Sequence, residues 1–193
     1  MDFNKVIIRN TEVLADDWSL LKKITFDYKK KDGDWETQSR ETYDRGDGAV
    51  ILLYNTIEKK VILTRQFRLT TYLNGNSDGM LIEACAGKLE NDNPEVCIKK
   101  EVQEETGFTV SNVERIFDAY MTPGSVTEIL YFFIAEYDHK MKTSKGGGLA
   151  SEQEYIEVLE YDFEKTLQMI ATGEIRDAKT IMLLQYLKIQ NHI

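Results

Sequence analysis

The chain has 193 residues, 42% of them hydrophobic and 30% charged, which is enough apolar material for one core of ordinary size. Its 24 Lys and Arg against 33 Asp and Glu leave a net charge of −9, which argues against a general nucleic-acid binder, because phosphate affinity needs clustered cations. No apolar run approaches the ~20 residues that span a bilayer, the start MDFNKVIIRNTEVLADD lacks the apolar segment of a signal peptide, and a pair of cysteines, Cys85 and Cys97, suits a reducing compartment, so a compact cytoplasmic protein with no membrane partner is expected.

In chain order, Val6 to Asn10, Leu20 to Tyr28 and Trp35 to Tyr43 read as strands, with Lys31-Asp32-Gly33-Asp34 turning between the last two. Ala49 to Tyr54 and Val61 to Arg65 form a second hairpin pattern, and Met80 to Ala86 is a further strand that ends at Gly87. Pro94 to Thr106 is helical, opened by a proline where a first turn tolerates one and stopped by Gly107. Val113 to Met121 and Glu128 to Tyr137 follow as strands around Thr122-Pro123-Gly124-Ser125. A loop from Lys140 to Ser151, with Gly146-Gly147-Gly148, leads to strand Tyr155 to Tyr161 and to helices Phe163 to Thr172 and Ala178 to Gln190. Strands interleaved with a few helices predict an α/β or α+β sandwich.

The helix before Gly107 carries the chemical signal. At ~100° per residue, Ile98 and Val102 form its apolar stripe, and Glu101 and Glu105 lie at the edge of that stripe, where a cleft floor would be. Clustered carboxylates oppose one another's ionisation, and a hard divalent cation relieves that opposition. Taken alone, Glu101, Glu104 and Glu105 fit a charged surface helix better than a metal site. An acidic protein that acts on an anionic substrate must supply local positive charge, and a carboxylate-held metal does so.

The wider run Gly87-x4-Asp92-x7-Lys100-Glu101-Val102-Gln103-Glu104-Glu105-Thr106-Gly107-Phe108 resembles the signature box of the Nudix hydrolases. Its second half follows the family pattern with Lys100 in the Arg place. The first half is one residue short, with Asp92 or Asn93 where Glu is usual, a departure that touches the loop brace rather than the metal ligands. Arg65-Gln66-Phe67-Arg68 and Pro123 resemble the branch that hydrolyses nucleoside diphosphate sugars and ADP-ribose. Tyr43-Asp44-Arg45-Gly46, Glu83-Ala84-Cys85-Ala86-Gly87 and Gly173-Glu174-Ile175-Arg176-Asp177 narrow the resemblance to the members of that branch that act on GDP-mannose.

The resemblance implies a Nudix α/β/α sandwich over residues 44–193, preceded by an N-terminal β extension, residues 1–43, used in dimerisation. It implies Mg²⁺, or Mn²⁺, held by the Ala86 carbonyl, Glu101, Glu105 and Glu154, with Glu104 as an additional catalytic acid. Water activation falls to the loop before the last strand, where Glu154 and Glu152 both remain open. A nucleoside diphosphate sugar partner would contact Arg68, Ala86, Gly87, Glu128, Gln153 and Lys179. It would also contact Ser39, Arg40 and Glu41 from the N-terminal segment, across the homodimer, with Trp18 placed to stack on the base. The implied reaction releases GMP and mannose 1-phosphate from GDP-mannose. ADP-ribose or another diphosphate sugar is the alternative substrate, and a Nudix-fold binding module without catalysis is a third reading that the intact Glu101, Glu104 and Glu105 oppose.

Overall fold

A computed structural model describes residues 5–90 and 92–193, so the first four residues of the expected N-terminal extension lie outside it. The chain divides into two compact units, one formed by residues 1–47 with 120–129 and the other by residues 48–119 with 130–193.

The first unit is an antiparallel sheet of β1 (Val6–Asp16), β2 (Leu20–Lys29) and β3 (Trp35–Asp44), in that order. The expected turn closes β2 onto β3: Lys30 N–H donates to Asp34 O at 2.8 Å, and Gly33 takes a φ of +97° that a side chain would resist. Register puts Ile8 of β1 opposite Phe26, which faces Gln38 on β3, and Val6 opposite Tyr28, which faces Glu36. Because side chains alternate, Val6, Ile8, Ile24, Phe26 and Tyr28 share one face, while Asp27 and Thr37 share the other. The polar face is tied together by Asp27, which accepts from Arg9 Nε and Thr37 Oγ1, both at 2.7 Å. Those two bonds hold the Asp27 carboxyl below its usual range. The apolar strip that β1 and β2 place on the first face, beside Glu36, Gln38 and Arg40 of β3, stays open to solvent, with Val6 51%, Ile8 58% and Tyr28 40% exposed. The segment 120–129 joins this unit through Tyr43, whose N–H donates to Ser125 O and whose carbonyl accepts from Thr127 N–H.

The second unit is built on a seven-stranded mixed sheet. Its strands are β4 (Gly48–Asn55), β5 (Lys60–Phe67), β6 (Met80–Glu83), β7 (Cys85–Lys88), β8 (Glu114–Tyr120), β9 (Ile129–Glu136) and β10 (Glu157–Asp162). The path runs β10-β5-β4-β9-β8, with β6 pairing β5 and β7 pairing β4. β4 and β9 are parallel neighbours at the centre, and residues 49 to 53 of β4 are all buried, as an unbroken apolar run predicts for a strand covered on both faces. Ala49, Ile51 and Leu53 meet Ile98 and Val102 on one side. The opposite face of β4 packs against α4 (Ala178–Ile189), whose Leu183, Leu184 and Leu187 are fully buried. Helix α2 (Pro94–Glu101) covers the first face, and α3 (Phe163–Thr172) packs beside α4, completing the α/β/α sandwich; α1 (Leu69–Leu73) is a five-residue surface turn with no buried residue. Cys85 and Cys97 are free and buried, as small apolar side chains would be.

Candidate active site

Helix α2 is started by Asn93, whose side chain accepts from Glu95 N–H at 2.9 Å, with Pro94 at the first helical position. After Glu101 the backbone widens into a π-helical turn over Val102–Thr106, and Gly107 ends it at a φ of 79°. Such a turn re-aims side chains and marks many functional sites. Here it turns the Glu105 side chain into the protein, where the residue is 2% exposed. Among the described residues, Glu105 Oε2 has no hydrogen-bond partner. Glu101 lies against Gly87, so closely that a Cβ on that glycine would fall 2.0 Å from Glu101 Oε1. Gly87 and its half-buried neighbour Ala86 pair with Ala49 and Val50 of β4 at the end of β7.

The electrostatics of the two carboxyls agree with this placement. Burial pushes the Glu101 carboxyl up to about 7, and the charges of Glu104 and Glu154 add to the rise. Burial likewise pushes Glu105 up to about 8, against a partial offset from the Cys85 thiol and Arg68. Lys100 reaches Glu104 at 3.7 Å, an ion pair within the helix.

The triple glycine docks the next loop onto the end of the box helix. Gly147 N–H donates to Glu105 O at 2.8 Å and Gly148 N–H to Glu104 O at 3.1 Å, meeting carbonyls that the helix end leaves free. A Cβ on Gly146 would fall 2.5 Å from Glu105 O. The loop then folds back so that the Glu154 side chain rests on Gly148, and Glu154 Oε2 accepts from Leu149 N–H at 3.1 Å. Glu154 is half-buried and acts on both Glu101 and Glu105; Glu152, exposed on the same loop beside exposed Gln153, acts on Glu101.

On the other flank Arg68 follows β5 and Lys179 lies in the first turn of α4. Both bind Glu83, Arg68 Nε to Oε2 and Lys179 Nζ to Oε1, each at 2.6 Å. Arg68 also acts on the Glu105 carboxyl, so the cations and the acids belong to one neighbourhood. Neither Glu83 nor Asp177, the second anion bound by Lys179 at 2.8 Å, stood out in the sequence as a functional residue. Its one visible signal was an acid inside an apolar strand, Met80-Leu81-Ile82-Glu83-Ala84-Cys85.

The remaining expected contacts belong to the first unit. Trp18 sits in the β1–β2 turn, 89% exposed, and Ser39, Arg40 and Glu41 are exposed on β3. Arg40 and Glu41 line a cavity of about 480 Å³ with Tyr120 and Pro123 through Thr127. Glu128 is half-buried and 3.4 Å from Arg45. His139 joins Glu58 and Glu160 in an exposed cluster at the β4–β5 turn, whose two acids are already bridged by Lys60. That turn is at the Asn55 end of β4, five residues from the Val50–Ala86 pair.

The donor set therefore suits a divalent cation: two carboxyls on neighbouring helical turns whose ionisation burial opposes, an unpartnered buried oxygen, and a glycine that leaves room for one of them. Comparison with known proteins agrees with the motif. A family described as GDP-mannose pyrophosphatase NudK N-terminal domain matches residues 5–43, and the NUDIX domain matches residues 44–184. Relatives named GDP-mannose pyrophosphatase include those of Enterobacter sp. (strain 638), 54% identical over 96% of each chain, and Escherichia coli (strain K12), 53% identical over 95% of each. A solved structure described as an ADP compounds hydrolase superimposes over the full length of both chains with a TM-score of 0.72 at 15% identity, which speaks to the fold. Since the NUDIX domain covers well over half of the residues, and relatives 53–54% identical align over 95–96% of both chains, this protein belongs to the Nudix family.

Proposed function

We propose that the chain is a divalent-metal-dependent hydrolase that cleaves the phosphoanhydride of GDP-mannose, taking up one water and releasing GMP and mannose 1-phosphate. The observation that carries this reading is identity of 53–54% with proteins named GDP-mannose pyrophosphatase, sustained through the N-terminal strands as well as the box. Glu101, Glu105, Glu154 and the Ala86 carbonyl would hold the cation, Mg²⁺ or Mn²⁺, which when bound neutralises diphosphate oxygens and so opens phosphorus to attack.

The chain's own residues divide the remaining work. Glu154, fixed by the Leu149 N–H, is the acceptor for the proton of the attacking water; its exposed neighbour Glu152 has no such anchor. Glu104, on the same turn and paired with Lys100, adds negative charge beside Glu101 and keeps the cation site acidic. Arg68 and Lys179 receive the phosphates, and Gly87 and Gln153 line the path of the diphosphate. Trp18, Ser39, Arg40, Glu41 and Glu128 bind the nucleoside and sugar, supported by the cavity at Arg40 and Glu41. Residues 1–43 form a dimerisation extension on a catalytic domain of residues 44–193, supported by the open apolar face of the three-stranded sheet.

The test is a panel of GDP-mannose, GDP-glucose, ADP-ribose and UDP-glucose, assayed for released phosphomonoesters. GDP-mannose should have the highest kcat/KM, by roughly tenfold or more over ADP-ribose, the scale of one or two good polar contacts. Equal or better turnover of ADP-ribose would replace the substrate and leave the metal chemistry standing.

A further inference from the structure

Glu83 is 4% exposed at its side chain, and each of its carboxylate oxygens goes to a different cation. The rest of the arrangement is a closed circuit. Lys179 also binds Asp177; Asp177 accepts from the Thr180 N–H at 3.0 Å and from its hydroxyl at 2.6 Å; and the Thr180 hydroxyl accepts from Ala84 N–H at 2.6 Å. The circuit thus returns to the residue next to Glu83. Burial alone would push the Glu83 carboxyl up, but Lys179 and Arg68 reverse this and hold it below its usual range.

Stability does not explain such a network, because a buried ion pair contributes little more than well-packed apolar side chains in its place. Net charge does not explain it either: two cations and two anions cancel, so the cluster attracts no anion by its sum. What Glu83 does fix is direction. It takes the Nε of Arg68 and, among the described residues, leaves both terminal nitrogens of a 40% exposed side chain without a hydrogen bond. Those two nitrogens form the fork that binds phosphate in a bidentate way. The same carboxylate sets Lys179 beside that fork.

We propose that Glu83 is a positioning residue, holding Arg68 and Lys179 as one pre-aligned receptor for the diphosphate. This rests on the reading of the site as a diphosphate hydrolase. Pre-alignment of donors costs nothing at the moment of binding, whereas free Arg and Lys side chains must be ordered by the ligand.

Two explanations predict opposite signs, which makes the test decisive. Glu83→Gln removes a negative charge from the site, so if charge alone mattered, anions would bind more tightly. If Glu83 works by alignment, they bind more weakly. In the full-length protein, Glu83→Gln should raise the KM for GDP-mannose about tenfold with kcat within about threefold. It should weaken inorganic pyrophosphate, titrated calorimetrically with Mg²⁺ present, by a similar factor. Glu83→Asp, which keeps the charge but withdraws it by one methylene, should weaken pyrophosphate as well while still melting cooperatively, and this keeps the test alive if the Gln variant folds poorly. Combined with Arg68→Ala, Glu83→Gln should cost less than it does alone, because the part of its effect that runs through Arg68 is already lost. Tighter or unchanged pyrophosphate binding, a wild-type-like Asp variant, or fully multiplicative losses in the double variant would overturn the proposal. A wild type that fails on GDP-mannose but binds pyrophosphate would sink only the substrate assignment.

Discussion

Glu105 and Glu101 are carboxyls whose burial works against their charge, and that conflict gives the metal-free protein a measurable pH dependence. In the unfolded chain both ionise near the ordinary value of 4.5, while in the folded chain Glu101 is raised to about 7 and Glu105 to about 8. Between those limits the unfolded state loses its protons first, so stability is fully present below 4.5 and falls as pH rises toward 8. Glu105→Gln removes this cost. In the presence of a chelator its melting temperature should match that of the wild type near pH 5 and exceed it increasingly toward pH 8.5. Added Mg²⁺ should raise the wild type at pH 8.5 and leave the variant nearly unmoved. Turnover responds in the opposite way: Glu105→Gln and Glu101→Gln should each lose two or more orders of magnitude in kcat with the fold intact, because each removes a carboxylate proposed to hold the cation. Near-normal activity in both would show that the box is not the catalytic centre.

Within the elements, the loop bearing Glu154 depends on backbone that only glycine fits. Gly148 has a φ of +79°, and a Cβ there would lie 2.6 Å from the Glu154 Cβ and 2.7 Å from its Oε2. Gly148→Ala should therefore displace Glu154 and cut kcat by about tenfold to a hundredfold, a loss typical of a misplaced proton acceptor. Calorimetric titration should find Mg²⁺ binding weakened too, because Glu154 is one of the proposed ligands, but by less than in Glu105→Gln, since Glu101 and Glu105 stay in place. Loss of metal binding equal to that of Glu105→Gln would refute this division. The sequence showed the triple glycine and the i, i+4 pair Glu101 and Glu105 beside Ile98 and Val102, because local spacing alone fixes which side chains share a helix face. Other features depend on distant partners and left little trace. The strand read as Met80 to Ala86 changes neighbour at Ala84, pairing with β5 before it and β4 after it. β1 runs to Asp16 instead of Asn10, because register shifts between Ile8 and Asn10 and between Val13 and Ala15 break the alternation by which a strand is read. The widening of the box helix at Val102 moves hydrogen bonds without changing any residue. Glu83 became legible only when Arg68 and Lys179, 15 and 96 residues away, were seen to meet on it.

For the molecule as a whole, the three-stranded sheet poses the remaining physical question, because a sheet with one open apolar face is stable only when that face is covered. Residues Val6, Ile8 and Tyr28 are each at least 40% exposed, while the opposite face is closed by the Arg9–Asp27–Thr37 bonds. The proposed cover is a second copy of the chain, whose symmetry would bring each apolar strip against its equivalent. Full-length protein at micromolar concentration should then sediment as a dimer. Ile8→Lys places an ammonium on the centre of that strip at a position that pairs with Phe26, so it leaves the polar face and the Asp27 network untouched. It should shift the chain to a monomer or lower the dimer affinity by at least a hundredfold, as burial of an unpaired charge requires. If Ser39, Arg40 and Glu41 complete the nucleotide site across that interface, the KM for GDP-mannose should rise on dilution in step with dissociation while kcat per intact dimer stays constant. Ile7→Lys, on the opposite side of the same strand and 41% exposed, serves as the control and should change neither mass nor KM. A full-length chain that sediments as an active monomer would leave the sheet without its proposed partner, and a dimer whose KM ignores Ile8→Lys would confine residues 1–43 to a scaffold role.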